Sequence, residues 1–322
     1  MMEIYGTLGP ACAQGAILEQ MFRYGMTGLR LNLSHTSLEE SAPLLEQMRL
    51  AAERCGIRPQ LLIDLQGPEL RVGKRGLPLL LEEGARLPLR RLALPEHLYA
   101  ALQPETELLL DDGRLCVRVL PAGEGLVLRG GTLAPGKSIA VPGLCAALPA
   151  LTAADRKNLS LASAFGVTGV MQSFVRSRED VEEVRTAICG TGLRHFAKLE
   201  NRAGLDSLEQ WIRLPDVLVI ARGDLGNAVP LWELPGVQKR VAARARQAGK
   251  PFLVVTQMLA SMERTAVPTR AEVSDIFNAV LDGASALMLT GETAAGRYPA
   301  EAMDYFCRTI RAAETFLREE RN

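Results

Sequence analysis

Three charged side chains in two short runs set the chemistry this chain can do. Phe196-Ala197-Lys198-Leu199-Glu200-Asn201 places Lys198 and Glu200 two residues apart, and Ala221-Arg222-Gly223-Asp224 follows downstream. A strand repeats every two residues, so Lys198 and Glu200 point to one side. Charges inside a buried strand are costly unless they are paired or put to use. Of 37 basic residues six are lysines (74, 137, 157, 198, 239 and 250), so a Lys kept in a strand points to a need for a compact ammonium. An ion pair in a barrel core accounts for the two charges equally well at this level. Glu200 and Asp224 are hard carboxylates that suit Mg2+ or Mn2+ completed by substrate and water.

The elements that must hold these residues are regularly spaced. Short apolar runs at 3–7, 28–32, 60–64, 169–173, 196–200, 217–221, 252–256 and 286–289 read as strands. Amphipathic stretches at 16–24, 41–54, 153–164, 178–186, 234–248, 270–281 and 300–318 read as helices. Eight alternating units predict an α/β fold, a (β/α)8 TIM barrel. Residues 73–142 break the rhythm, with Gly and Pro punctuation and β-type runs at 107–110, 115–120 and 125–129. They read as a small all-β domain inserted after strand 3, leaving barrel segments 1–72 and 143–322. Without the insert about 250 residues remain, the usual size of one such barrel.

Polar residues gather at the strand ends. Arg30, Asn32 and Ser34 alternate with Leu29, Leu31 and Leu33, so the leucines face the helices and the polar set lines the mouth. Asp64 ends the third strand, and Thr256 and Gln257 end the seventh. Barrel enzymes build their sites at this C-terminal rim. Arg30 and Lys198 offer positive charge to a phosphoryl group. A helix opening at Gly223-Asp224 would present backbone N–H groups to a carboxylate or phosphate. Asn32, Ser34 and Asp64 suit either a monovalent ion or plain capping of the turn after strand 2. His35 reads first as a loop residue. The set fits phosphoryl transfer, where catalysis is positioning and charge neutralisation. No Ser or Cys has a triad-type His, and neither a GxxxxGK[ST] loop nor a dinucleotide GxGxxG is present.

Composition excludes other classes. Net charge is zero and aromatics are 5%, unlike a nucleic-acid binder. The six cysteines (12, 55, 116, 145, 189 and 307) form no CxxC pair and read as thiols in a reducing cytoplasm. Three scattered histidines argue against a His-based metal site. The N-terminus lacks signal-peptide character and no apolar run is long enough for a bilayer, so neither secretion nor membrane insertion is expected.

In order along the chain come Thr7-Leu8-Gly9-Pro10-Ala11, Arg30-Leu31-Asn32-Leu33-Ser34-His35, Asp64-Leu65-Gln66-Gly67-Pro68-Glu69-Leu70-Arg71 and Asp111-Asp112-Gly113. Lys137, six residues before Gly143, follows, then the Lys198 and Asp224 runs. Thr256-Gln257-Met258-Leu259, Pro268-Thr269-Arg270-Ala271-Glu272-Val273-Ser274-Asp275 and Gly291-Glu292-Thr293-Ala294 complete the series. From about residue 3 to residue 315 this order resembles the pyruvate kinase family.

The resemblance implies a barrel A domain interrupted by a mobile β-barrel B domain that closes over the site. It implies transfer of the phosphoryl group of phosphoenolpyruvate to ADP, giving pyruvate and ATP in glycolysis. Glu200 and Asp224 then bind the divalent ion. Lys198 stabilises the phosphoryl group in flight and Arg30 contacts it. Ser173, Gly223, Asp224 and Thr256 fall to the substrate, with Thr256 where the family helps protonate the enolate. Asn32, Ser34, Asp64 and the carbonyl of Leu65 match the potassium site, and Glu69 the acidic residue of potassium-dependent members. Thr7, Pro10, His35, Arg71 and Lys137 match nucleotide-side positions.

The chain also departs from the family. Asp-Thr-Lys-Gly-Pro-Glu becomes Asp64-Leu65-Gln66-Gly67-Pro68-Glu69, and Gly-Glu-Thr-Ala-Lys-Gly loses its lysine at Ala295. The insert is shorter than the family's roughly 100 residues. The chain stops at Asn322, just past the last barrel helix, so a member reduced to its A and B domains, dimeric through barrel helices, is expected. Two alternatives follow from the departures: a paralogue that binds phosphoenolpyruvate and metal with little turnover, or other enolate chemistry such as oxaloacetate decarboxylation.

Overall fold

Runs such as Val217–Ala221 and Phe252–Val255 are buried at every position, as befits parallel strands covered on both faces. The computed structural model describes residues 2–34, 36–73, 75–111, 113–141 and 149–320. Its barrel strands are β1 (Glu3–Thr7), β2 (Gly28–Asn32), β3 (Gln60–Asp64), β4 (Gly169–Gln172), β5 (Arg194–Leu199), β6 (Val217–Ala221), β7 (Phe252–Val255) and β8 (Ala286–Met288). All pair in parallel with their sequence neighbours, and β1 closes on β8. The fold is the expected (β/α)8 barrel.

Alternation sorts the side chains into two layers. Tyr5, Leu62, Met171, Phe196, Val219 and Leu253 fill the barrel interior. Leu29, Leu31, Leu33, Ala197 and Leu199 join the layer between strands and helices. Lys198 therefore shares the inward face with Phe196. β5 begins two residues earlier than periodicity alone gives, and β5 and β8 end one residue earlier, as do β4 and β7. The chain turns sharply there, with positive φ at Phe174 (55°) and Thr256 (83°).

The N-terminal end of the barrel is plugged by polar side chains. The Tyr5 hydroxyl lies 2.7 Å from both Glu3 and Gln60. Arg194 bonds Glu3 at 2.8 Å and lies over the Phe196 ring at 4.9 Å. Such groups at this end serve stability, which leaves the C-terminal mouth for chemistry.

The insert has its own apolar core, including Leu87, Leu108, Val117, Val127 and Ile139. Expected as a small all-β barrel, it holds a six-stranded antiparallel sheet and a separate pair, Leu79–Leu81 with Gly131–Leu133, together with a short helix at Glu96–Ala101 that the all-β reading leaves out. Leu70–Arg71, which the sequence leaves with the barrel, pairs with Ser138 and Ile139 in that sheet. No helix among the described residues is long and apolar enough to cross a membrane.

One buried histidine gives the fold a pH dependence. His195 faces the helix layer, and its Nε2 lies 2.8 Å from Gln172 Oε1. The Gln172 amide nitrogen donates to the Asp180 carbonyl, so Nε2 carries the proton. Nδ1 is buried without a hydrogen-bond partner among the described residues. Burial pushes the imidazole down to about 4, against a partial opposing pull from Asp216. The unfolded chain takes a proton near pH 6.5 and the native one does not, so stability falls as pH drops from about 6.5 to 4, by about 3 kcal/mol. Urea unfolding at pH 7 and 4.5 should show His195→Gln losing about 2 kcal/mol less than the parent chain; identical losses would remove His195 as the cause.

Candidate active site

The mouth of the barrel is organised by one carboxylate. Asp64, at the end of β3, is 2% exposed. Its Oδ2 lies 2.5 Å from Arg30 Nη2 and 2.7 Å from Arg30 Nε, at the end of β2. Its Oδ1 lies 2.9 Å from Lys198 Nζ, contributed by β5. Ser173, just past β4, donates to the Leu65 carbonyl at 2.6 Å and to Asp64 Oδ1 at 3.2 Å. Burial alone would raise the Asp64 pKa, but Lys198 and Arg30 outweigh it and hold the carboxyl below its ordinary value. Burial likewise disfavours the Lys198 ammonium, and Asp64 and Glu200 more than restore it.

Glu200 follows β5 and is 4% exposed. Its Oε1 lies 3.1 Å from Lys198 Nζ, and its Oε2 accepts the Phe174 N–H at 2.7 Å. Lys198 and Glu200 are thus partners in this structure, and Lys198 bridges two carboxylates. Asp224 lies in the helix Arg222–Ala228 that opens where β6 ends. Both acids line one cleft of about 530 Å3 between the barrel mouth and the insert. Leu109, Gly113 and Ile139 form part of its upper wall.

The remaining sequence candidates fall into two groups. Thr256 and Gln257 both have positive φ (83° and 54°), a strain of about 1–3 kcal/mol each that persists only where the surroundings hold it. A Cβ on Gly223 would sit 3.1 Å from Thr256 Cγ2, so that glycine lets the Thr256 side chain lie close over the start of the helix. Asn32 Oδ1 accepts the Ser34 N–H at 3.0 Å, an ordinary turn cap. On the other side, Thr7 exchanges backbone bonds with Thr293 Oγ1 at 2.8 and 3.0 Å. Pro10 is exposed. Arg71 pairs with Glu69 at 2.8 Å and donates to the Gly136 carbonyl at 2.8 Å. Lys137 pairs with Asp111 at 2.7 Å inside the insert. His35 and Asp112 lie outside the described residues.

Sequence reasoning missed the groups that hold the rim. Asp155 caps the helix Ala153–Leu161 in a capping box with Thr152. The same carboxylate accepts the N–H groups of Gln66 and Gly67 at 2.8 and 3.0 Å, fixing the loop after Asp64. Thr152 followed by Asp155 is a visible cap signal, but the loop partner lies 89 residues away in sequence. Glu292, 1% exposed, accepts the N–H groups of Leu259 and Thr290 and ties the ends of β7 and β8 together.

Comparison with known proteins gives the family. The family model for the pyruvate kinase barrel domain matches residues 1–90 and 91–303. The chain belongs to the pyruvate kinase family. The pyruvate kinase of Methylorubrum extorquens is 39% identical over 328 residues, covering 97% of this chain and 68% of the relative. That of Aeropyrum pernix is 38% identical, covering 95% of this chain and 69% of the relative. That of Mycobacterium tuberculosis is 38% identical, covering 97% and 70%.

The geometry makes Asp64 the counter-ion of two cations. Removing it leaves Arg30 and Lys198 with one carboxylate between them in a buried setting, so Asp64→Asn should cost about 3–5 kcal/mol in urea unfolding at pH 7. A loss below about 1 kcal/mol would show that the cluster is not stabilised through this group.

Proposed function

We propose that this chain carries out the pyruvate kinase reaction, phosphoryl transfer from phosphoenolpyruvate to ADP in glycolysis, at the barrel mouth described above. What carries the proposal is the gathering of Arg30 and Lys198 on Asp64, with Glu200 on Lys198, in a chain that matches the family over nearly its whole length. A terminal oxygen of ADP forms the new bond to phosphorus. The bond from phosphorus to the C2 oxygen breaks, and its electron pair stays as an enolate. C3 then takes a proton to give pyruvate.

Each residue has a part in this assignment. Lys198 and Arg30 hold positive charge against the phosphoryl oxygens, in a site where Asp64 fixes both in place. Ser173 and Gly223 border the substrate, and Thr256 serves the proton transfer to C3. Glu200 and Asp224 fit a Mg2+ or Mn2+ ion. Among the described residues no three acidic, His or Cys side chains gather into a complete metal site. Two hard carboxylates in one cleft, with substrate oxygens and water supplying the rest, are what such an ion takes. Held by Glu200 and Asp224, the ion would supply charge neutralisation to an anionic substrate. Asn32, Ser34, Asp64 and the Leu65 carbonyl are oxygen donors of the type K+ takes. Thr7, Pro10, His35, Arg71 and Lys137 are assigned to the nucleotide. A cytoplasmic homodimer through the barrel helices is the proposed form, and adjacent exposed side chains at Leu231 (71%) and Trp232 (84%) support an apolar contact.

A coupled assay tests this. Phosphoenolpyruvate, ADP and Mg2+ should yield pyruvate, faster with K+ present. Lys198→Met should lower kcat by about 100- to 1,000-fold, while Glu200→Gln and Asp224→Asn raise the Mg2+ concentration needed for half-maximal rate. Pyruvate formation no greater than that of the Lys198→Met variant would overturn the proposal.

A further inference from the structure

Thr256 and Gln257 are two successive non-glycine residues in the left-handed region, and the first is β-branched, the least tolerant type there. Something must hold them. The end of β7 cannot do so, because the strand stops at Val255. The group that contacts both is Arg222, the first residue of the neighbouring helix Arg222–Ala228. Its Nε and Nη2 donate to the Thr256 carbonyl at 3.1 and 2.7 Å, and Nη2 also reaches the Gln257 carbonyl at 3.3 Å. Its Nη1 is anchored 2.6 Å from Asp275 Oδ2, on the helix Arg270–Leu281. The guanidinium is mostly buried, with its side chain 11% exposed.

A guanidinium is a planar fork with fixed donor directions. Here one edge takes two consecutive carbonyls that point the same way only because the backbone is turned. The outer nitrogen is locked by Asp275. The strained turn and the fork therefore specify each other. The Thr256 side chain lies close to Gly223, where an added Cβ would meet its Cγ2 at 3.1 Å and its Oγ1 at 3.6 Å. The two residues flanking that contact, Arg222 and Asp224, belong to the same helix start. Thus one helix end sets the Thr256 backbone, accommodates its side chain and carries one of the two cleft acids.

We propose that Arg222, anchored by Asp275, is a positioning residue that sets the Thr256 hydroxyl for proton transfer at C3 of the enolate. This rests on the assignment of Thr256 to that proton transfer. Arg222 touches no reacting atom in this role. It acts through the two carbonyls, and Asp275 acts through Arg222. The expected signature is a loss in proton transfer with little loss in substrate binding.

The test separates the two halves of the reaction. In D2O with Mg2+, K+ and inorganic phosphate as a stand-in for the transferred group, the C3–H bond of pyruvate breaks, the proton leaves to solvent by way of the Thr256 hydroxyl, the bonding pair forms the C2–C3 double bond and the C2 carbonyl π pair moves onto its oxygen. A deuteron from solvent then restores the methyl group, and proton NMR follows the exchange. Arg222→Met and Arg222→Lys should slow exchange by about 10- to 100-fold, since small misplacements of a working group cost that much. Asp275→Asn should slow it by about 3- to 10-fold, being one step further removed. The KM for phosphoenolpyruvate should stay within about threefold in all three. The double variant Arg222→Met with Thr256→Ala should be no slower than Thr256→Ala alone, because residues acting as a unit are not additive.

Normal exchange in Thr256→Ala sinks the underlying assignment, and the role of Arg222 with it. Slow exchange in Thr256→Ala with normal exchange in Arg222→Met sinks the positioning role alone. Additive losses in the double variant would overturn it as well. Should Arg222→Met fail to fold, Arg222→Lys and Asp275→Asn give the same readings, each paired with Thr256→Ala.

Discussion

Two cations share one buried carboxylate at the mouth of the barrel, and the rest of the site is arranged around that fact. Arg30, Lys198, Asp64 and Glu200 form a set with two positive and two negative charges, nearly sealed from solvent. Desolvating charges costs several kcal/mol each unless the partners are close and the remaining lone pairs are satisfied. Here they are close, and Ser173 and the Phe174 N–H take two further carboxylate positions. The cluster is neutral before substrate arrives. A ligand carrying both a carboxylate and a phosphoryl group brings excess negative charge into a site of low dielectric, so added cations must accompany it. That requirement follows from the charge count, and Asp224 adds a further carboxylate to the cleft that Glu200 lines.

The scaffold that holds this cluster is rigid below and bent above. The barrel floor is locked by Glu3, Tyr5, Gln60 and Arg194, and its interior is packed with apolar side chains. At the other end the chain leaves the strands in conformations that non-glycine residues avoid, at Phe174, Thr256 and Gln257. Each unusual turn does something specific. Phe174 aims its N–H at Glu200, and the Thr256–Gln257 turn presents two carbonyls to Arg222. Such strain is tolerable because the buried strands beneath do not yield.

Much of this was legible in the sequence, and the boundary is physical. β1, β2, β3 and β6 were readable to the residue, because period-two alternation and continuous apolar burial are local properties. The ends of β4 and β7 were not, since a positive φ at Phe174 or Thr256 leaves no trace in residue type. Lys198 and Glu200 were legible as sharing a side, yet their direct pairing depends on where Glu200 sits just past β5. The shared role of Asp64 was hidden for another reason. Its partners come from β2 and β5, and only barrel closure brings those strands to one point. Asp155 shows the same limit, a cap readable from Thr152 alongside a loop contact that is not.

The two sides of the cleft differ in origin. Lys198, Arg30, Asp64, Glu200 and Asp224 all come from the barrel, whereas Arg71 stands on the insert sheet and Lys137 just before its strand Ser138–Ala140. Both insert-borne cations already have partners, Glu69 for Arg71 and Asp111 for Lys137. Any anion that reached Arg71 or Lys137 would compete with a carboxylate for each. The lysines absent at Gln66 and Ala295 fall outside the barrel cluster, and the Gln66 backbone is still fixed by Asp155. Loss of charge at those positions thus leaves the Asp64 network intact.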